Sequence, residues 1–290
     1  MCFVSGGRCA GDMNAVMLMI GVTLCYTISS LSDKYAVSDA KFSGDEFTFL
    51  ICSSMSVFLL FSLPFQKLYF HISWQAFAAI GLIALCKFFE MQMSALVLKQ
   101  LTAFELKAWL GVTLFASYIT DVFCGEKLHI LKLLCISVTV TGLVFIAKSG
   151  KESRSEYKKI AVPLVLYLGA KFGYGLAIKA FTPYISPTMQ LLPALAIIAV
   201  IMLFRIRPQE IIRKNRKGAA AVILARIPNT LGMLLENAVI SVSLTDYSFI
   251  QPMILVSLFI IGLIRKERGS AESIIGSILC VSGVVLFQVI

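Results

Sequence analysis

The residues that could do chemistry in this chain are ionisable side chains embedded in long apolar runs. Lys87 and Glu90 lie near the middle of one run, Lys171 near the middle of a second and Arg226 near the middle of a third, with Glu236 further along the third. A charge at the centre of a bilayer costs at least ~2.5 kcal/mol unless it faces protein or water, so each of these groups marks a candidate site. Lys87 and Glu90 are three positions apart and share one helix face, where they can pair. That pair is either structural or functional, with Glu90 coupling transport to a proton or cation and Lys87 released to a substrate. Lys171 and Arg226 have no partner in their own runs. Cross-helix pairing with Glu236 or Glu105 competes with a binding role for them. Lysine offers a mobile point charge and arginine a planar fork, both suited to carboxylate or phosphate. Three mid-depth cations against Glu90 would make a net positive cavity and favour a substrate with an anionic group. Glu105 and Lys107 lie near the end of a run and are expected to snorkel to the interface. Asp33, Asp121 and Asp246 lie at run ends and are expected to be solvated.

Neutral polar groups could complete a pocket: Tyr26, Tyr174, Asn229 and Gln251 all interrupt apolar sequence. Ordinary packing or interface anchoring competes with that role for the tyrosines. Pro228, beside Arg226 and Asn229, and Pro252, beside Gln251, free backbone carbonyls and can kink helices. Gly173-Tyr174-Gly175 permits a flexible or closely packed stretch, with helix–helix contact through small residues the blander account. The eight cysteines (Cys2, Cys9, Cys25, Cys52, Cys86, Cys124, Cys135 and Cys280) contain no CxxC pair, and neither His71 nor His129 sits at zinc-ligand spacing. There is no HExxH, GxSxG or GxxxxGK[ST] pattern. No enzyme, metal, cofactor or nucleic-acid partner is therefore expected.

The elements that must hold these groups are membrane helices. The chain of 290 residues is 58% hydrophobic and 14% charged, with mean hydropathy +0.87. A soluble domain carries roughly 25% charged residues, so lipid is the solvent for much of this surface. Lipid-exposed backbone must satisfy its own hydrogen bonds, in helices or closed barrels. Apolar runs of about twenty residues, rather than alternating ten-residue strands, predict helices. The pattern predicts ten spans, at 13–32, 45–63, 74–97, 101–122, 128–147, 160–180, 186–204, 218–240, 244–264 and 271–290.

The chain also repeats itself. Gly125-Glu126-Lys127-Leu128 joins the fourth and fifth spans, and Gly142 opens a Gly-apolar ending of the fifth. Lys266-Glu267-Arg268-Gly269 joins the ninth and tenth, and Gly283 opens the matching ending of the tenth. Glu126 to Gly142 and Glu267 to Gly283 are equal intervals. Lys34 and Lys179 close the first and sixth spans in the same way. The polar stretch 148–159 divides the chain into a first five-helix repeat, 13–147, and a second, 160–290. An odd number of spans per copy inverts one copy relative to the other, an arrangement that places carrier sites near the membrane midplane.

These features resemble the drug/metabolite transporter superfamily, in its ten-helix EamA-like branch. The resemblance covers residues 13–290. It implies an all-α membrane protein with ten transmembrane helices in two inverted five-helix repeats, a central cavity and alternating access. Relatives in that superfamily export amino acids and drugs or exchange sugar derivatives. Glu126, Glu267, Gly142 and Gly283 are the matched motif positions, and a carboxylate at Glu126 or Glu267 could cap the following helix.

Lysine and arginine are unevenly divided between the two ends of the predicted spans. The net charge is +10, and the end holding both termini has only Arg8, Lys67, Lys127, Lys132 and Lys179, while most of the 26 basic residues crowd the other end, above all in 148–159 and 205–217. The positive-inside rule puts both termini outside the cytoplasm, against the orientation expected from the resemblance. The expected function is a secondary carrier, exporter or exchanger, of small metabolites bearing an anionic or zwitterionic group, in a bacterial plasma membrane. The alternatives are a proton-coupled exporter of lipophilic cations and a non-transporting membrane scaffold. The expected partners are a small-molecule substrate, the lipid bilayer, protons and a second copy of the chain.

Overall fold

The computed structural model describes residues 16–31, 42–66, 68–98, 109–110, 113–125, 127–149, 154–264 and 271–290. Among them the fold is helical, with one isolated antiparallel bridge between Phe70 and Ile185 in place of any strand. The helices are α1 (Val16–Leu31), α2 (Gly44–Ser62), α3 (Trp74–Leu98), α4 (Thr113–Phe123), α5 (Ile130–Ser149), α6 (Arg154–Phe181), α7 (Pro187–Leu203), α8 (Pro208–Lys214), α9 (Arg216–Val242), α10 (Leu244–Ile264) and α11 (Ala271–Val289). Four stretches are long and apolar enough to cross a membrane: Gly44–Phe65, Trp74–Val97, Ala161–Phe181 and Arg216–Ile240. The pair α7 and α8, bent by 83°, makes a fifth if taken as one broken span. The chain is thus an all-helical, multi-pass membrane protein.

Local sequence explains the helix limits. Ser43 and Glu46 form a reciprocal capping box at the start of α2, each side chain satisfying the other's backbone N–H. Pro187 and Pro208 stand in the first turns of α7 and α8, where a missing N–H costs nothing. The Asn215 side chain accepts from the Gly218 N–H at the head of α9 (2.8 Å). Gly125, with φ of +108°, turns the chain after α4 in a conformation that glycine alone adopts freely. Several hydroxyls within the apolar helices are satisfied inside their own helix. Thr23, Ser56, Thr139 and Thr141 each donate to the carbonyl four residues back, at 2.7–2.9 Å. That removes the cost of an unpaired hydroxyl in lipid.

Apolar side chains cover the outside. Phe61, Ile130, Leu134, Val162 and Ile278 are all exposed, a surface that needs lipid rather than water. Inside, α2 packs on α3, α7 and α9, α3 on α6 and α7, and α10 on α4, α9 and α11. The most extensive pairing joins α5 and α11.

Two expectations require correction. The stretch 205–217, expected to be a loop, contains α8. Pro208 starts it, and Arg207 pairs with Glu210 at 3.2 Å across one turn. Asp121, expected to be solvated, is fully buried. It lies 2.5 Å from Lys179 on α6 and accepts from the Thr245 N–H at 2.8 Å at the head of α10. A carboxylate can stay buried there because a cation and an unpaired helix N-terminus meet it. The prolines of the eighth and ninth predicted spans do not break them: α9 and α10 run through Pro228 and Pro252, and α6 runs through Gly173 and Gly175. The bend occurs instead between α7 and α8. Glu126, Glu267, Glu105, Lys107, Lys34 and Asp33 lie outside the described residues.

Candidate functional site

Four charged side chains from three helices meet in the bundle interior. Helix α3 supplies Lys87 and Glu90, α6 supplies Lys171 and α9 supplies Glu236. The i,i+3 spacing aligns Lys87 with Glu90 at 2.9 Å. Lys171 Nζ lies 3.0 Å from Glu236 Oε1 and 3.6 Å from Glu90 Oε1, so one ammonium stands between two carboxylates on different helices. Glu236 is wholly buried and Lys87 and Lys171 nearly so, whereas the Glu90 side chain keeps 17% exposure. Each buried ion would cost several kcal/mol alone. The set survives because two cations face two anions.

Tyrosines close the cluster. Tyr26 on α1 donates its hydroxyl proton to Glu236 Oε2. Lys87 Nζ sits 3.8 Å from the centroid of the Tyr174 ring, and Lys171 Nζ lies 5.6 Å from that ring and 5.5 Å from the ring of Tyr247. An ammonium over an aromatic face is held by the ring quadrupole, more strongly when desolvated. Tyr247 donates to the Lys171 backbone carbonyl at 3.3 Å, and Tyr174 donates to Asn237 Oδ1 at 2.7 Å. The other end of the Asn237 amide, Nδ2, is buried with no partner among the described residues.

Of the residues singled out from sequence, Lys87, Glu90, Lys171, Glu236, Tyr26 and Tyr174 come together here, with Lys171 and Glu236 paired across helices. Arg226 is buried elsewhere on α9, where its Nε donates back to the Val222 carbonyl at 3.2 Å. Asn229 Nδ2 approaches the Met55 sulfur at 3.5 Å. Gln251 lies within α10. The charge count changes accordingly: the four clustered ions balance among themselves, where a net positive set had been expected, because Glu236 stands with Lys87, Glu90 and Lys171. Tyr247 and Asn237 were not anticipated. The one sequence signal for Asn237 is its place beside Glu236 in an otherwise apolar stretch.

Gly142 and Gly283 lie at the crossing of α5 and α11. A Cβ on Gly142 would come within 2.5 Å of the Gly276 carbonyl oxygen and 2.8 Å of the Cys280 nitrogen. A Cβ on Gly283 would come within 2.9 Å of the Cys135 carbonyl oxygen and 3.0 Å of the Thr139 nitrogen. No atom beyond hydrogen fits at either position.

At the bundle end that carries the α2–α3 and α6–α7 connections, Ser186 N–H donates to the Tyr69 carbonyl and His71 N–H to the Tyr184 carbonyl, each at 3.0 Å. At the other end of α2 and α7, an open cleft of about 310 Å³ is lined by Ser43, Asp45, Glu46, Arg205, Ile206, Arg207 and Glu210. Among the described residues, no group of histidine, cysteine and carboxylate side chains could hold a metal ion.

No protein-family model and no curated protein matches this chain. A solved structure described as "Crystal structure of protein" superposes on it with a TM-score of 0.68, at 15% identity, over 96% of this chain and 98% of that one. The two share a fold along nearly their whole lengths.

Proposed function

We propose that the chain is a secondary carrier of small metabolites bearing a carboxylate, built as ten transmembrane helices in two inverted repeats and working by alternating access around the Lys171 cluster. The observation that carries this reading is the buried, balanced set Lys87–Glu90–Lys171–Glu236 at a junction of both halves of the chain. A scaffold needs no ions in its interior, and their desolvation is costly. A carrier needs groups that can exchange an internal partner for a substrate.

Internal symmetry supports the two-repeat part. In α5 and α11, Gly142 meets positions 276 and 280, and Gly283 meets positions 135 and 139. The three pairs 142/283, 135/276 and 139/280 share one offset, 141, and the Cys280 thiol donates to the Thr139 carbonyl at that separation. Helix pairings follow the same exchange. The contact of α3 with α6 is answered by that of α9 with α1, through Gly232 against Cys25. The contact of α3 with α7 is answered by that of α9 with α2. Inverted repeats of this kind place a substrate site between them.

The ends of the bundle support alternating access. One end is tied by backbone hydrogen bonds between a first-half and a second-half connection, and the other carries a cleft between the same halves. Charge bias along the sequence places the tied end, with both termini, outside the cytoplasm. The membrane in this proposal is a bacterial plasma membrane, and no ATPase segment is invoked.

The test is a thermal-shift screen of purified protein in detergent against carboxylates, amino acids, phosphorylated metabolites and lipophilic cations. A ligand binding only the folded state stabilises it by ~2.7 kcal/mol at a hundred times its dissociation constant. Stabilisation by carboxylate-bearing compounds that is lost in Lys171→Ala, followed by uptake of the same compounds into proteoliposomes, supports the carrier. Stabilisation by lipophilic cations alone would point to drug export. Binding without uptake would point to a scaffold.

A further inference from the structure

We infer that the Lys171 cluster binds one proton and one monocarboxylate together, with Glu236 taking the proton and Lys171 taking the carboxylate. This rests on the carrier reading and names its substrate class and coupling.

The inference begins with unequal partners. Glu90 has Lys87 on its own helix at 2.9 Å and so keeps a cation whatever Lys171 does. Among the described residues Glu236 has one cation in reach, Lys171 at 3.0 Å. Its other oxygen holds the Tyr26 hydroxyl, which is neutral. The titratable groups around Glu236 are Tyr26 from α1, Glu90 from α3, Lys171 and Tyr174 from α6 and Tyr247 from α10. Tyr167 of α6, also buried, stands close enough to feel the same charges. Among the described residues Lys171 is the one cation within ion-pair distance of Glu236, with Lys87 standing one contact further off against Glu90 and the Tyr174 ring.

Removing Lys171 from Glu236 therefore leaves a fully buried carboxylate with tyrosine alone, a state that water-free surroundings do not tolerate. A proton on Oε1, the oxygen Lys171 vacates, neutralises it while Tyr26 keeps Oε2. Sequence expectation put coupling on Glu90. The geometry favours Glu236, because Glu90 is partly exposed and never loses Lys87.

The charge balance then selects the substrate. The two cations and two anions of the cluster sum to zero among themselves. Protonating Glu236 leaves the cluster with one net positive charge. An anion of single charge restores neutrality, a zwitterion leaves the excess positive charge in place, and a dianion reverses it. The freed Lys171 ammonium supplies one donor to that anion. The Asn237 amide, held through Tyr174, supplies another from its buried Nδ2, which has no partner among the described residues. Glu90, 3.6 Å from Lys171, is the resting place of the ammonium when no substrate is present.

Two measurements test the inference. The first is infrared difference spectroscopy of the protein in lipid, taken on acidification, which reads the C=O stretch of a buried protonated carboxyl whether or not transport occurs. The wild type and Glu90→Gln should show the band, Glu236→Gln should lack it, and Lys171→Met should show it already at neutral pH. A band that survives Glu236→Gln, or is lost only in Glu90→Gln, overturns the proton assignment. The second is thermal shift with acetate, butyrate, benzoate and pyruvate, against a sugar phosphate and a neutral amino acid as controls. Monocarboxylate affinity should rise as pH falls, by up to about tenfold per pH unit, as uptake of one proton with the anion requires. Glu236→Gln should bind with no such pH dependence, Lys171→Met should not bind, and Lys171→Arg should retain binding. All variants are first shown to be monodisperse. No monocarboxylate binding at any pH, or stronger binding of the dianion, overturns the substrate class. An intact band and intact binding without uptake into proteoliposomes would leave the paired site standing and refute the carrier reading instead.

Discussion

Gly142 and Gly283, 141 positions apart, press against each other's helices in mirrored fashion: each would drive a Cβ into a backbone carbonyl oxygen, Gly142 into that of Gly276 and Gly283 into that of Cys135. Cys135 and Gly276 are separated by the same 141 positions. Backbone atoms stand within 3.0 Å in each case and cannot rotate away, and at Gly283 the Thr139 hydroxyl is closer still.

Gly142→Ala and Gly283→Ala should therefore each destabilise the protein by about 1–3 kcal/mol, the usual cost of overpacking a filled interior. Both losses should be clear, because backbone atoms close off each site, though the side chains that meet them differ, Cys280 at Gly142 and Thr139 at Gly283. Thermal unfolding followed in detergent checks this. A neutral effect at either glycine would contradict the crossing. Gly81 is the control, since a Cβ there would meet nothing within 4 Å, and Gly81→Ala should be neutral or slightly stabilising.

Lys171 is shared by two carboxylates, so its loss should cost more than the loss of either partner. Lys171→Met strips Glu236 of its cation, so that the buried carboxyl must take up a proton, at a cost of up to about 3–5 kcal/mol at neutral pH. Adding Glu236→Gln should recover part of that loss, since the double variant has no buried carboxyl to neutralise. A thermodynamic cycle over the four proteins measures the coupling. Strict additivity would show that the 3.0 Å contact is not an interaction.

Asp121 joins three helices, through Lys179 on α6 and the Thr245 N–H and hydroxyl on α10 while itself on α4. Asp121→Asn keeps the shape and removes the charge, and should destabilise by about 1–3 kcal/mol. Lys179 can turn to water, being 29% exposed, which moderates the effect. Asp121→Ala should cost more, because the Thr245 N–H then loses its acceptor. Equal melting temperatures for wild type and Asp121→Ala would refute this tie.

Cys124 is exposed at the end of α4, on the side predicted to face away from the cytoplasm. In a background with Cys2 and Cys9 replaced by alanine, a membrane-impermeant maleimide applied to intact cells should label Cys124. A cysteine introduced at Lys151, in the basic connection between the halves, should be labelled only after lysis. The reverse pattern would invert the topology.

The sequence by itself determined that the chain is helical and lives in a membrane, because 14% charged residues cannot coat a water-facing surface and the apolar runs match a bilayer crossing by a helix. The helix positions followed from the same runs. The first predicted span, 13–32, meets α1 at Val16–Leu31, and the third, 74–97, meets α3 at Trp74–Leu98. The Lys87–Glu90 pair was legible too, since an i,i+3 spacing fixes a shared face without further information. Membership of the cluster was not. Whether Lys171 meets Glu236 and Glu90, whether Arg226 joins them and whether Asp121 is solvated depend on the rotation of each helix about its axis and on its neighbours. A helix apolar on nearly every face encodes little about its own rotation, because lipid and protein interior are similarly apolar partners for it. Tertiary packing alone turned Tyr26 and Tyr247 toward the ions, set Asn237 against Tyr174, and made a net positive set of candidates into a balanced one.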